Sequence, residues 1–305
     1  MSKYFQRGLA LLYILLTAFC FLILLSLSGV YLSDRVVITI MTVWLLFCLS
    51  SAWLFTDIRL FFRHTCRKPV REEQEKLDRC FGEVLQNANC RKAFRFRIDE
   101  AVSLNAFATG HNTIAVSKAA IQQLTEEELK GLLAHELGHL VSKDPIIGAA
   151  VATAFELPRA VRFIYLHAKA VILKVIIVSG MIAARISILL LAALLMALLY
   201  FMEKRHLLLP IVAVIAFVLV FNILNRVFSF FSLMISRFTE YKQDAYAHQL
   251  GYGAGLSAVL KKIAASGEQP VNPYFVIMNS THPVIHNRIR KLEALSARNA
   301  QNPDR

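Results

Sequence analysis

His135-Glu136-Leu137-Gly138-His139 sets two imidazoles and a carboxylate within one short stretch, a spacing that suits a metal ion and an acid–base group working together. On a helix, positions i and i+4 project from the same face, so both rings reach one ion. Nitrogen donors at that spacing suit Zn²⁺, and Glu136 between them is placed to act on a metal-bound water. A catalytic zinc takes three protein ligands and keeps a fourth position open, so one ligand lies elsewhere in the chain. The longer HExxHxxGxxH pattern does not supply it, because Ser142 and Pro145 occupy its glycine and histidine positions. The third ligand is therefore expected to be a carboxylate from another helix, with Glu156 and Glu240 as the leading candidates. Glu240 is preferred, since it opens the segment after the last apolar run and has Asp244 one helical turn on. That pairing offers one carboxylate to ligate and one to orient a histidine ring from behind. Asp144, just past the second histidine, is another residue able to orient a ring.

The elements around the motif follow from the same residues. Thr125 with Glu128 forms a capping box, and Glu126 and Glu127 add negative charge at the start of the helix. Leu129, Leu132, Leu133, Leu137 and Leu140 recur at helical spacing and predict a buried stripe beside the histidines. Pro145 opens a new helix or bends this one. Upstream, Arg63–Glu75 reads as a charged connector, followed by a helix with Leu77, Phe81, Val84, Leu85 and Ala88 on one face. Phe94–Ile98 alternates as a half-buried strand does. A second strand is expected over Leu104–Thr109, turned by Gly110-His111-Asn112 into Thr113–Val116. An exposed edge of such a sheet beside a metal helix can accept an extended peptide as a further strand, or be a purely structural hairpin. Downstream of Asp244, helices are expected to Gly251, over Leu256–Ala265, and from Ile285 through Leu295. The polar tail from Ala297 reads as loose.

Composition points to a bilayer. Apolar residues make up 56% of the chain, and four uncharged runs approach the roughly 20 residues a helix needs to cross a hydrocarbon core. They lie between Arg7 and Asp34, between Arg35 and Asp57, over Ile186–Met202 and over Leu207–Leu224. Arg59, Arg63, Arg67, Lys68 and Arg71 follow the second run, whereas Arg35 alone occupies the turn before it, so the motif is expected on the cytoplasmic side. The stretch from Ile146 to Ala184, with Arg159, Arg162, Lys169 and Lys174, reads as a helix on or entering the membrane surface. The net charge of +13 suits anionic head groups. The basic residues track membrane boundaries and form no compact patch interleaved with aromatics, which argues against a nucleic-acid partner. Cys20, Cys48, Cys66, Cys80 and Cys90 contain no CxxC and are odd in number, so neither a disulfide framework nor a cysteine zinc site is expected.

Taken together, the membrane hairpin, Leu104-Asn105-Ala106-Phe107-Ala108-Thr109-Gly110, the Leu124–Leu129 segment, HELGH with Asp144, and Ser236-Arg237…Glu240-Tyr241…Asp244 resemble the HtpX-like membrane zinc metalloproteases. The CAAX prenyl endoproteases are more distant relatives. The resemblance implies a mainly α-helical integral membrane protein with a small β-sheet and a zincin-like metalloprotease domain on the cytoplasmic side of a bacterial inner membrane. It implies one zinc ion per chain bound by His135, His139 and Glu240, with Glu136 as general base and proton shuttle. It implies that Asn105, Ala106, Phe107 and Ala108 hold substrate backbone, and that His282 and Arg288 line the site or steady the oxyanion. Val284-Ile285-His286-Asn287 departs from the family pattern after His282-Pro283. The domain expectation is a transmembrane hairpin over 1–62, a first protease part over 63–185, a second membrane hairpin over 186–235, a second protease part over 236–296 and a tail over 297–305. The function implied is endopeptidase cleavage of membrane or misfolded proteins, with peptide substrates and the lipid bilayer as partners. Processing of lipidated peptides and a catalytically silent membrane scaffold are the alternatives.

Overall fold

The computed structural model describes the backbone of residues 3–27, 33–54, 66–154, 188–204, 208–266 and 284–301, with isolated helical positions at 167, 171 and 174. Two compact units divide the chain. One comprises Met1–Arg7, Leu49–Ala150 and Ser229–Arg305, and the other Gly8–Cys48 and Val151–Phe228.

The first unit is built around a four-stranded sheet of order β1-β2-β4-β3, with β1 over Cys66–Arg67, β2 over Arg95–Asp99, β3 over Ala106–Thr109 and β4 over Thr113–Ser117. The predicted alternation in β2 holds, since Phe96 and Ile98 are buried and Arg95 is exposed. β2 runs parallel to β4, pairing Phe96 with Ile114 and Ile98 with Val116, so both strands put apolar residues into the core. β3 returns antiparallel to β4 through a turn in which Gly110 takes φ +62°, a left-handed conformation that costs glycine little. The strand starts at Ala106, two residues later than expected. The supposed connector is also more ordered than its charge suggests. Arg67 lies between Glu73 and Glu100 in an ion-pair network, and β1 pairs with β2.

Helices cover this sheet. In α3 (Arg71–Asn87), Leu77, Cys80, Phe81 and Val84 are buried, and Phe81 packs edge-on against Phe94 and Phe96. A short helix not anticipated from sequence, α4 (Lys118–Gln123), is capped by Ser117, whose hydroxyl accepts from Ala120 N–H. The motif helix, α5, spans Glu126–Ser142, and its capping box is closed in both directions between Thr125 and Glu128. Instead of one buried stripe, it is buried on nearly every side from Glu128 to Gly138. The reason is its surroundings: α3, β3 and α9 (Gly253–Ala265) all pack on it. Gly131 and Gly255 permit that crossing, because a Cβ on either would collide with the facing helix backbone. Lys143 ends α5 in a left-handed conformation at φ 65°, and a new helical stretch, α6, covers Asp144–Ala154.

The remaining helices are α1 (Lys3–Leu27), α2 (Asp34–Leu54), α7 (Ile188–Lys204), α8 (Leu208–Gln249) and α10 (Ile285–Gln301). α8 carries the predicted fourth apolar run and Glu240 and Asp244 without interruption. α10 continues past Ala297, where a loose tail was expected; Ala297, Arg298, Ala300 and Gln301 are all strong helix formers. Among the described residues, one helix is long and apolar enough to cross a membrane, over Asp34–Ser51, and shorter apolar helices cover Arg7–Phe19 and Ala192–Phe201. Beyond Ala154, the proposed membrane-surface helix lies outside the described residues apart from three positions, and the loop through Pro273 lies outside them entirely.

Candidate metal centre

α5 presents His135 and His139 on one face, and α8 brings Glu240 against them. His135 Nε2 and His139 Nε2 are 3.2 Å apart. Glu240 reaches each ring through a different oxygen: Oε2 lies 3.5 Å from His135 Nε2 and Oε1 lies 3.6 Å from His139 Nε2. Three lone-pair donors thus converge from two helices, and together they form a cluster able to hold a metal ion. A tetrahedral zinc with bonds near 2.0–2.2 Å separates its donors by roughly 3.3–3.5 Å. The observed spacings of 3.2, 3.5 and 3.6 Å bracket that range closely, and two imidazoles with a carboxylate are a donor set zinc accepts.

The opposite ring nitrogens fix the tautomers. His135 Nδ1 lies 3.0 Å from Asp244 Oδ1, and His139 Nδ1 lies 3.3 Å from Asp144 Oδ2. With Nδ1–H donating to a carboxylate, each ring in its neutral form would present its Nε2 lone pair to the centre. Asp244 is itself held by Arg288, whose Nε and Nη2 donate to its two oxygens at 2.8 and 2.6 Å. Arg288 Nη1 also lies 3.0 Å from Glu240 Oε2. Arg288 is only 6% exposed. Its approach to His135 Nδ1, at 3.4 Å, sets two N–H donors side by side on one carboxylate oxygen.

Burial and neighbouring charges act against each other on these groups. Burial disfavours the protonated rings, yet Asp244 and Glu240 lift His135 above the ordinary histidine value. Burial is likewise outweighed at His139, which Asp144 and Glu240 push up to about 10. Burial raises the Asp244 carboxyl, but His135 and Arg288 overcome it and hold it below its usual value. The carboxylates therefore create a pocket that favours positive charge at the point where the Nε2 atoms meet.

Glu136 is buried beside this cluster and accepts a hydrogen bond from Ala108 N–H at 2.7 Å. That contact follows from the pairing of β3. Ser117 N–H donates to Asn105 O at 2.9 Å, and antiparallel pairs alternate, so Asn105, Phe107 and Thr109 turn their backbone groups toward β4. Ala106 and Ala108 turn theirs toward the outer edge of β3, which no strand among the described residues covers. Asn105 is exposed, Phe107 and Ala108 are half-buried and Ala106 is buried. His282 and Glu156 lie outside the described residues.

Of the residues singled out from sequence, the structure brings together His135, Glu136, His139, Glu240, Asp144, Asp244, Ala108 and Arg288. Sequence reasoning missed Gln243 and Ser142. Gln243 Nε2 lies 2.6 Å from Ser142 Oγ and 3.0 Å from Asp144 Oδ2. The only signal for Gln243 was its place one residue before Asp244, which gives no sign of its distant partners.

Residues 71–296, most of the chain, match the sequence profile of peptidase family M48. The HtpX protease homolog of Aquifex aeolicus is 34% identical over 107 residues, covering 34% of this chain and 35% of that protein. The homolog from Sulfurihydrogenibium sp. is 33% identical over 112 residues, covering 35% and 38%. Protease HtpX of Legionella pneumophila is 47% identical over 53 residues, covering 16% and 19%. The matched stretch thus spans about a third or less of these curated relatives. Among solved structures, S. mikatae Ste24p aligns with a TM-score of 0.49 and 17% identity, over 90% of this chain and 61% of that one.

Proposed function

The chain belongs to peptidase family M48, and on that premise we propose that it is a zinc-dependent endopeptidase that cleaves extended peptide segments beside a membrane. The observation that carries this reading is the convergence of His135, His139 and Glu240 next to Glu136, with a carboxylate behind each ring. His135, His139 and Glu240 would hold one zinc ion, while Asp244 and Asp144 keep the rings in the ligating tautomer. When bound, zinc supplies Lewis acidity, lowering the pKa of water toward about 7 and polarising the scissile carbonyl.

The chain's own groups do the rest. Glu136 takes the proton from the attacking water and delivers it to the leaving amine. The outward backbone groups of Ala106 and the outward carbonyl of Ala108 pair with a substrate strand, so that Asn105–Ala108 fixes the register of the peptide. Ala108 N–H already donates to Glu136, which supports the edge strand and the acid–base group forming one site. Arg288 steadies Asp244 and lines the site beside Glu240. The exposed apolar helices support a membrane setting, the basic residues after the second apolar run support a site facing the cytoplasm, and the family resemblance supports misfolded membrane proteins or their loops as substrates.

Cleavage of casein by the detergent-purified full chain tests this reading. Activity is expected to disappear with a chelator and in Glu136→Ala, while Glu136→Ala keeps its zinc. Retained cleavage in that variant removes Glu136 from the role. A parent chain inactive on casein but active on a prenylated carboxy-terminal peptide identifies lipidated substrates, and inactivity on both with zinc bound favours a silent scaffold.

A further inference from the structure

The two histidines of the centre are backed in the same way but secured differently. Behind His135, Asp244 is gripped by the guanidinium of Arg288. Behind His139, Asp144 is met by the neutral amide of Gln243, whose Nε2 is 3.0 Å from Asp144 Oδ2 and 2.6 Å from Ser142 Oγ. Both amide hydrogens are used by these acceptors. Ser142 Oγ in turn donates to Gly138 O at 2.5 Å. Gln243 is 1% exposed, and its Oε1 lies over Gly138, where an added Cβ would come within 2.5 Å of it. The glycine inside the HELGH motif therefore leaves room for this one side chain.

Gln243 stands between Glu240 and Asp244 on α8, whereas Ser142 and Asp144 flank the left-handed Lys143 that ends α5. One side chain thus joins the helix that bears Glu240 to the turn that sets Asp144 behind His139. We propose that Gln243 is a positioning residue of the metal centre: it holds Asp144 on His139 Nδ1 and fixes the last turn of α5 against α8. This inference rests on the metal reading above. It assigns to Gln243 a role that acts on the ion only through Asp144 and His139.

Two variants close to glutamine in volume, Q243M and Q243E, each remove the donor to Asp144. Full-length protein in detergent, stripped of metal and titrated with zinc against a chromogenic chelator, is expected to show 10–100-fold weaker binding in either variant, the range usual for partners behind a ligand. Cobalt-loaded protein is expected to show shifted visible bands, because His139 is no longer held in place. V84A, a truncation in the apolar core that removes none of the hydrogen-bonding or charged groups of the centre, serves as the stability control and is expected to leave zinc affinity and the cobalt spectrum unchanged. Either variant that folds decides the matter. Zinc affinity and cobalt bands equal to the parent's in a folded variant overturn the role of Gln243 and leave the metal reading standing. A folded parent that takes up neither zinc nor cobalt overturns the metal reading and this inference together.

Discussion

The metal-centre region and the apolar helices of the second unit invert each other's chemistry. Around α5, charged side chains are inside: His135, Glu136, Glu240, Asp244 and Arg288 are each no more than 6% exposed. Along α7, Leu194, Leu195, Met196, Leu198, Leu199, Tyr200 and Phe201 are all exposed, and α2 exposes Val36, Ile38, Val43, Leu46 and Phe47. Burying ions is costly unless each meets a partner, and in the first region each one does. Exposing an unbroken apolar run to water is also costly, and such runs mark surfaces that meet lipid or protein. The contrast teaches that one region shuts a charged cluster away from water, while the other turns mostly apolar side chains outward.

Substitutions can break that contrast from either side. The largest effect is expected at Glu240→Ala, which removes a ligand and leaves Arg288 without one of its two carboxylates. Zinc content and cleavage are both expected to fall to background, whereas Glu156→Ala keeps both. The opposite outcome in metal analysis reassigns the third ligand. Glu136→Ala comes next, with cleavage of casein reduced by about 10²–10⁴-fold, the usual contribution of a positioned acid–base group, and zinc content unchanged. Equal loss of zinc would make Glu136 part of the metal-binding group.

On the apolar side, Leu195→Asp is expected to cost about 2.5–3.5 kcal/mol if α7 lies within a bilayer, seen as a drop in the membrane-retained fraction after alkaline extraction. If α7 faces water, the same change shifts stability by about 0.5 kcal/mol or less. The smallest effect is expected at the half-exposed network of Arg67 and Glu73. The Arg67 guanidinium, aided by Val70 N–H, holds the Glu73 carboxyl below its ordinary value against the opposing effect of burial. A lowered folded-state value contributes stability in full above the unfolded pKa, and that contribution is lost as pH falls through the lowered folded-state value. Glu73→Gln is therefore expected to cost about 1 kcal/mol or less near neutrality. The deficit against the parent should vanish in acid, as followed by thermal midpoints from pH 7 to pH 3. A deficit that persists at low pH would point to packing instead of charge.

Much of the first region was legible because its signals are local. The i, i+4 histidines, the Thr125–Glu128 box and the spacing of Leu77, Phe81 and Val84 each lie within a few helical turns, and each took the expected form. The placement of Asp144 and Asp244 behind the rings was also readable, since each stands near His139 or Glu240 in sequence. What sequence did not give depends on distant contacts. Gln243 meets Ser142 across 101 residues, and Arg288 meets Asp244 across 44. The near-complete burial of α5 owes part to α9, whose close approach needs Gly131 and Gly255 to lack side chains. The parallel pairing of β2 with β4 was likewise hidden, because alternation within a strand says nothing of which strand lies beside it.

Metal stoichiometry of the full-length protein, purified in detergent and analysed by plasma mass spectrometry, tests the central claim most directly. The account predicts about one zinc per chain, removed by a chelator and restored on adding zinc back. Folded protein that carries no zinc and takes none up would contradict it.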